Sequence, residues 1–173
     1  MFLHPDEDPR SDGDFTDERE LFTAYLRDHR LTLEMKCAGL TPEQLARRAV
    51  EPSTMSLLGL IRHMAEVERT WFRRRMAGQD VPFLFRTAES RDADWDGAVA
   101  DEAVVAEAWR LWREETAFAD RFIAEAPDLM ITGTWDGETL TLRELLLHMI
   151  EEYARHNGHA DLLRERIDGR RGQ

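Results

Sequence analysis

The scarcities in this chain narrow its class before any pattern is read. It has one cysteine, Cys37, in 173 residues, which excludes an intrachain disulfide and suits a reducing compartment. It has no apolar run near the roughly 20 residues that cross a bilayer. Its opening "MFLHPDEDPRSDGD" has neither the basic nor the apolar segment of a secretory leader. A cytoplasmic location is therefore expected, with no membrane partner. Basic surface is also scarce. The net charge is −12, and the short Arg73-Arg74-Arg75 run lies beside acids. Nucleic acid is not an expected partner, because displacing phosphate counterions needs a cationic footprint. No glycine-rich phosphate loop and no serine-nucleophile elbow is present. Lysine is nearly absent: of 23 basic residues only Lys36 is lysine. That bias fits the GC-rich codons of a high-GC bacterium.

The residues present are those of a helical protein. At 42% hydrophobic the chain can bury a core as one domain. Residues 1–14 read as an acidic tail, 15–169 as the folded body and 170–173 as a short C-terminal tail. An apolar stripe (Leu21, Phe22, Tyr25, Leu26, Leu33, Cys37) predicts a first helix that stops near Gly39. Thr41, Pro42 and Gln44 form a capping box for a short helical turn. Ser56 caps a second long helix carrying Leu57, Leu60, Met64, Val67, Trp71 and Met76, stopped at Gly78. Residues 79–100 read as a long connection. A third helix follows, with Val104, Val105, Ala108, Leu111, Trp112, Phe118 and Phe122 inward and Pro127 at its end. Residues 128–141 suggest a small hairpin or irregular loop. Thr141 and Glu144 form a second capping box, opening a last helix that runs to about Ile167. Four amphipathic helices predict an all-α, antiparallel four-helix bundle with long connections.

Polar residues interrupt two of these stripes. On the last helix the inward positions run Leu142, Leu145, Met149, Glu152, His156, Ala160, Leu163. Glu152 and His156 emerge side by side, one turn apart. His63 stands on the apolar stripe of the second helix. A buried carboxylate is costly unless it pairs, protonates or binds a metal. Two imidazoles and a carboxylate suit a divalent transition ion such as zinc or nickel, with positions left for water or substrate. The competing reading is a half-buried histidine bonded to a backbone carbonyl and an ordinary i,i+4 pair at the core rim.

The phrases "HMAEVERTWF", "MKCAGL" and "EEYARHNGHADLLRERIDG" resemble the DinB-like superfamily of metal-binding four-helix bundles, in an actinobacterial branch of unassigned function. In that superfamily a histidine on the second helix joins a pair spaced by four on the last. The usual pair is two histidines. Glu152 and His156 depart from it and are similar to the mycothiol-dependent maleylpyruvate isomerases, where a His, a Glu and a His hold zinc. The resemblance implies His63, Glu152 and His156 as the metal ligands. It also implies a metal-dependent enzyme that activates mycothiol or another small thiol for S-transfer or isomerisation of a small-molecule substrate. The isomerases' additional C-terminal domain has no counterpart in these residues, so isomerisation itself is not expected to transfer. A metal-dependent hydrolase and a non-enzymatic, homodimerising bundle with a structural or vestigial site are the alternatives.

Other residues carry weaker signals. His159, at the edge of the ligand face, is the candidate catalytic residue for proton transfer, against a plain surface histidine. His148 is expected to pack against the third helix or to bond Glu152. Glu66 reads as reaching the site or pairing with Arg62 or Arg69 on the solvent side. Asp161 reads as solvated, or as orienting a ligand histidine. Glu151, Arg155 and Arg164 fall on outward positions. Trp71, Trp109 and Trp112 read as core, and Trp135 as a pocket wall. Cys37 has no neighbouring base and is not expected to be a catalytic thiol.

Overall fold

A computed structural model describes residues 8–10 and 13–172. The elements are α1 (Glu18–Cys37), α2 (Pro42–Ala46) and α3 (Leu57–Glu68), a π-helical extension of α3 (Arg69–Met76), α4 (Ala93–Asp96), α5 (Glu102–Glu125), β1 (Thr132–Trp135), β2 (Glu138–Thr141) and α6 (Leu142–Asp168). The starts of these helices are written locally. Asp17 and Asp101 each accept two backbone N–H groups as N-caps, Ser56 accepts from Gly59, and both expected capping boxes form. Gly169 ends α6 in the left-handed region at φ 80°, where a side chain would be strained.

The long helices form an all-α bundle whose antiparallel relation holds between two parallel pairs. Along α1 and α6, Glu18 meets Arg143, His29 meets Asn157, and Lys36 meets Asp161, so these helices run the same way. Along α3 and α5, Arg69 meets Glu115 and Phe72 meets Phe122, again in one direction. Across the pairs the order reverses: His63 faces His156, and Glu68 faces Tyr153. Because α3 and α5 are parallel neighbours, the chain between them must travel back along the bundle. This is why residues 77–101 are long, and that segment carries α4, which has no helical period to announce it.

A buried polar network ties all four long helices. Arg30 of α1 donates two hydrogen bonds of 2.8 Å to the Glu68 carboxylate of α3, which is fully buried. Arg30 also donates to Asp120 of α5 at 2.7 Å. Tyr153 of α6 donates to Glu68 at 2.8 Å and accepts from Trp112 of α5 at 2.9 Å. Burial works against the Arg30 charge, but Glu68, Tyr153 and Asp120 outweigh it and hold the guanidinium above its usual range. Burial and the neighbouring Glu68 raise the Tyr153 hydroxyl well above a free phenol, so it serves as a donor.

The expected second helix changes winding at Glu68. In the π-helical stretch Arg69 and Arg73 both reach the buried Glu115 of α5, and Arg73 also lies 4.0 Å over the Phe118 ring. The β1–β2 hairpin then packs onto this stretch through Gly133, where a Cβ would sit 2.5 Å from Arg75 O. Arg164 corrects its outward assignment: it is 2% exposed, donates to Lys36 O and Ala38 O, and pairs with Asp168. Those bonds satisfy carbonyls at the end of α1, so the arginine closes that helix rather than facing solvent. Among the expected tails, Arg10 donates to Thr32 and Arg27 to Pro9 O, so residues 8–10 lie along α1; residues 1–7, 11–12 and 173 fall outside the described part.

Removing Arg30 would leave the Glu68 charge buried without its cation. Arg30→Ala is expected to lower the unfolding free energy by about 3–5 kcal/mol in urea denaturation, whereas the largely exposed Asp120→Ala is expected to cost under about 1 kcal/mol.

Candidate metal centre

The network sets the rotation of α6. With about 100° per residue, a helix that turns Tyr153 into the core places Glu152 and His156 together on one flank. That flank faces α3, and His63 meets it: the His63 and His156 ring centroids are 4.8 Å apart. Each of His63, Glu152 and His156 places a ligand atom within 4.8 Å of the other two. The three residues expected from the sequence are thus brought to one point.

Two residues that the sequence did not announce complete the surroundings of His63. Asp94 of α4 is fully buried and lies 2.8 Å from His63 Nδ1. Burial raises its carboxyl, but the hydrogen bond and charge of His63, with Arg86 adding to them, win and hold it below the usual carboxylate value. The carboxylate is therefore ionised and accepts from Nδ1–H, which in the neutral imidazole leaves the lone pair on Nε2. The Trp95 ring stacks on His63 at 4.8 Å and 28°. Arg62 fixes the backbone that carries both, donating to Asp94 O at 2.8 Å and Ala93 O at 2.9 Å. Gly59 allows the approach, since a Cβ there would meet the Trp95 ring at 2.8 Å. An Asp-Trp pair in an aperiodic acidic stretch carries no local sign of which histidine it serves.

Glu152 turns Oε2 toward His156 Nε2 and Oε1 toward His148 Nε2, each at 3.5 Å, with Arg155 at 3.9 Å. It accepts no hydrogen bond from any described residue, although its side chain is only 18% exposed. His156 is pressed toward neutrality. Burial, then the charges of His63, His159 and Arg155, bring its pKa down to about 3. On its other side His156 Nδ1 lies 3.3 Å from His159 Nδ1, so the half-buried His159 touches the cluster without joining it.

Other expectations resolve differently. His148 packs on Trp71 of the π-helical stretch, centroid to centroid 4.3 Å, rather than on the third helix. Glu66 is buried and pairs with neither Arg62 nor Arg69. Its carboxylate accepts backbone N–H groups from Leu84, Phe85 and Arg86, and so anchors the long connection. Asp161 pairs with Lys36 and orients no ligand histidine. Trp112 is core, Trp71 and Trp109 are half-buried, and the Trp135 side chain lies outside the described part. Cys37 is buried, and burial pushes its thiol up to about 12, far from a nucleophile's range.

The sequence model of the mycothiol S-transferase family matches residues 21–169, which span every element that builds the cluster. The chain belongs to the mycothiol S-transferase family. That family lies in the DinB-like superfamily. A crystal structure of a conserved protein from Enterococcus faecalis has the same fold. It has a TM-score of 0.61 and 15% identity, covering 87% of this chain and 97% of that one. No curated protein matches the chain. No helix among the described residues is long and apolar enough to cross a membrane.

The depressed His156 pKa has a sign that can be checked on chelator-treated protein. The folded imidazole takes a proton only near pH 3, while the unfolded one takes it near 6.5. Between those values the unfolded chain binds more protons, so this contribution is complete above about pH 6.5 and is lost as pH falls toward 3. His156→Gln is expected to flatten the slope of the urea midpoint against pH across that window.

Proposed function

We propose that the chain is a divalent-metal-dependent S-transferase that uses mycothiol as its thiol, with His63, Glu152 and His156 holding the ion and zinc or nickel as the metal. The observation that carries the reading is Glu152. It is a mostly buried carboxylate among histidines with no hydrogen bond from a described residue and no cation nearer than 3.5 Å. A divalent ion would satisfy it. The other donors fit the same ion. His156 is kept neutral and offers a lone pair, and the Asp94 bond leaves His63 Nε2 available.

A bound ion would supply Lewis acidity to a thiol sulfur, lowering its pKa so that the thiolate prevails near neutral pH. The chain's own residues do the rest. Asp94 holds the His63 imidazole in one tautomer and orientation, and Trp95 covers its face. His159, half-buried and beside His156, accepts the thiol proton and returns it to solvent. The sulfur then bonds to an electrophilic carbon of a small-molecule acceptor, whose leaving group departs with the bonding pair. Family membership supports the choice of thiol, and the single buried cysteine agrees with a cytoplasmic enzyme.

Protein prepared without a metal-binding affinity tag is expected to carry about one transition ion per chain by elemental analysis, lost in His63→Ala. Asp94→Asn is expected to weaken metal affinity by about 10–100-fold while remaining folded. Conjugation of an alkyl halide should require both the ion and added thiol. Turnover of substrate by the metal-loaded protein with no thiol present would replace this reading with hydrolysis.

A further inference from the structure

The long connection builds more than the Asp94 support. Residues 82–88, 91 and 92, with Arg74 of the π-helical stretch, line an open cleft of about 1130 Å³. In a chain of net charge −12 its lining is the reverse in sign: Arg74, Arg86 and Arg91 stand against one acid, Asp92. Arg91 makes no ion pair or hydrogen bond with any described residue. Arg86 makes only a loose 3.6 Å approach to Asp94, and its buried Nε–H finds no acceptor among the described residues. Among the described residues Arg91 thus has no anionic partner, and Arg86 has only the Asp94 approach.

The cleft adjoins the support of the candidate metal centre. Arg86 lies 3.6 Å from the Asp94 oxygen that is itself 2.8 Å from His63 Nδ1. Its floor is held rigid, because Glu66 accepts the backbone N–H groups of Leu84, Phe85 and Arg86. Phe83 and Phe85 add apolar wall between the charges. A preorganised, arginine-rich wall beside a reacting centre suits a planar anion, which a guanidinium grips with two parallel hydrogen bonds.

We propose that this cleft is the acceptor subsite: it takes an electrophile that carries a carboxylate, held by Arg86 and Arg91, and presents its reactive carbon toward the His63–Glu152–His156 cluster. The proposal rests on the S-transferase reading for its chemistry, though the carboxylate binding does not need that chemistry to occur. Transfer forms a sulfur–carbon bond, expels the acceptor's leaving group with the bonding pair, and releases the thiol proton to His159.

The test compares iodoacetate with iodoacetamide as acceptors for mycothiol, two alkylating agents that share the same reactive carbon and iodide leaving group but differ in charge. The full-length, metal-loaded protein is used, with the uncatalysed rates subtracted. In the native chain the ratio of kcat/KM for iodoacetate over iodoacetamide is expected to exceed the uncatalysed ratio. In the Arg86→Gln/Arg91→Gln double variant the ratio should fall by at least about tenfold, through KM, and Arg86→Lys/Arg91→Lys, which keeps the charge but not the bidentate grip, should restore only part of it. A ratio unchanged by the glutamine pair overturns the proposal. If the protein transfers to neither reagent, calorimetric binding of succinate decides. A dissociation constant weakened about tenfold in the glutamine pair, and unaltered by His63→Ala, upholds the cleft while the S-transferase reading fails. Succinate binding that is absent, or equal in native protein and glutamine pair, overturns it.

Discussion

The buried Glu68 carboxylate is the contact on which the rest of this structure depends. It sits where α3 passes into its π-helical extension and meets one partner from α1 and one from α6, with α5 joined through Trp112 and Asp120. A buried charge of this kind adds little net stability over an apolar packing, but it permits few arrangements. Only one rotation of α6 lets Tyr153 reach Glu68. That rotation also turns Glu152 and His156 toward His63. The polar network therefore acts as a registration device for the candidate metal cluster one turn away.

Around that core the protein uses carboxylates to position backbone and rings. Asp94 fixes a histidine, Glu66 fixes three amides of the long connection, and Glu115 receives two arginines from the π-helical stretch. All three are buried and have cationic or N–H partners. Glu152 differs from them: it is mostly buried, yet no described residue donates to it. Among these acids the exception is the place where the proposed ion would complete the structure. Family membership points toward thiol chemistry, and this exception carries the proposal that a metal supports it.

What could be read from sequence was the part encoded within one helix. The capping boxes at Thr41 and Thr141 lie within four residues of their partners, and both formed. Glu152 and His156 were legible because a helix places residues four apart side by side, and His63 because it interrupts an apolar stripe. What failed depends on other elements. Arg164 has an outward phase on its own helix but is buried by the end of α1. Glu66 looked like a surface pair because its true partners are amides 18 to 20 residues on. The helical pattern from 57 to 76 shows no break at Glu68, since the change of winding accompanies contacts to Glu115 and the hairpin that lie far along the chain. Asp94 and Trp95 were invisible for the same reason: their role exists only after the parallel packing of α3 and α5 folds the connection back over His63.

The most direct measurement is anomalous diffraction at the zinc absorption edge from crystals grown with stoichiometric zinc. The account predicts one dominant peak at about 2.0–2.2 Å from a nitrogen of His63, a nitrogen of His156 and an oxygen of Glu152. A map without a peak there, or with its dominant peak bonded to other residues, would contradict it.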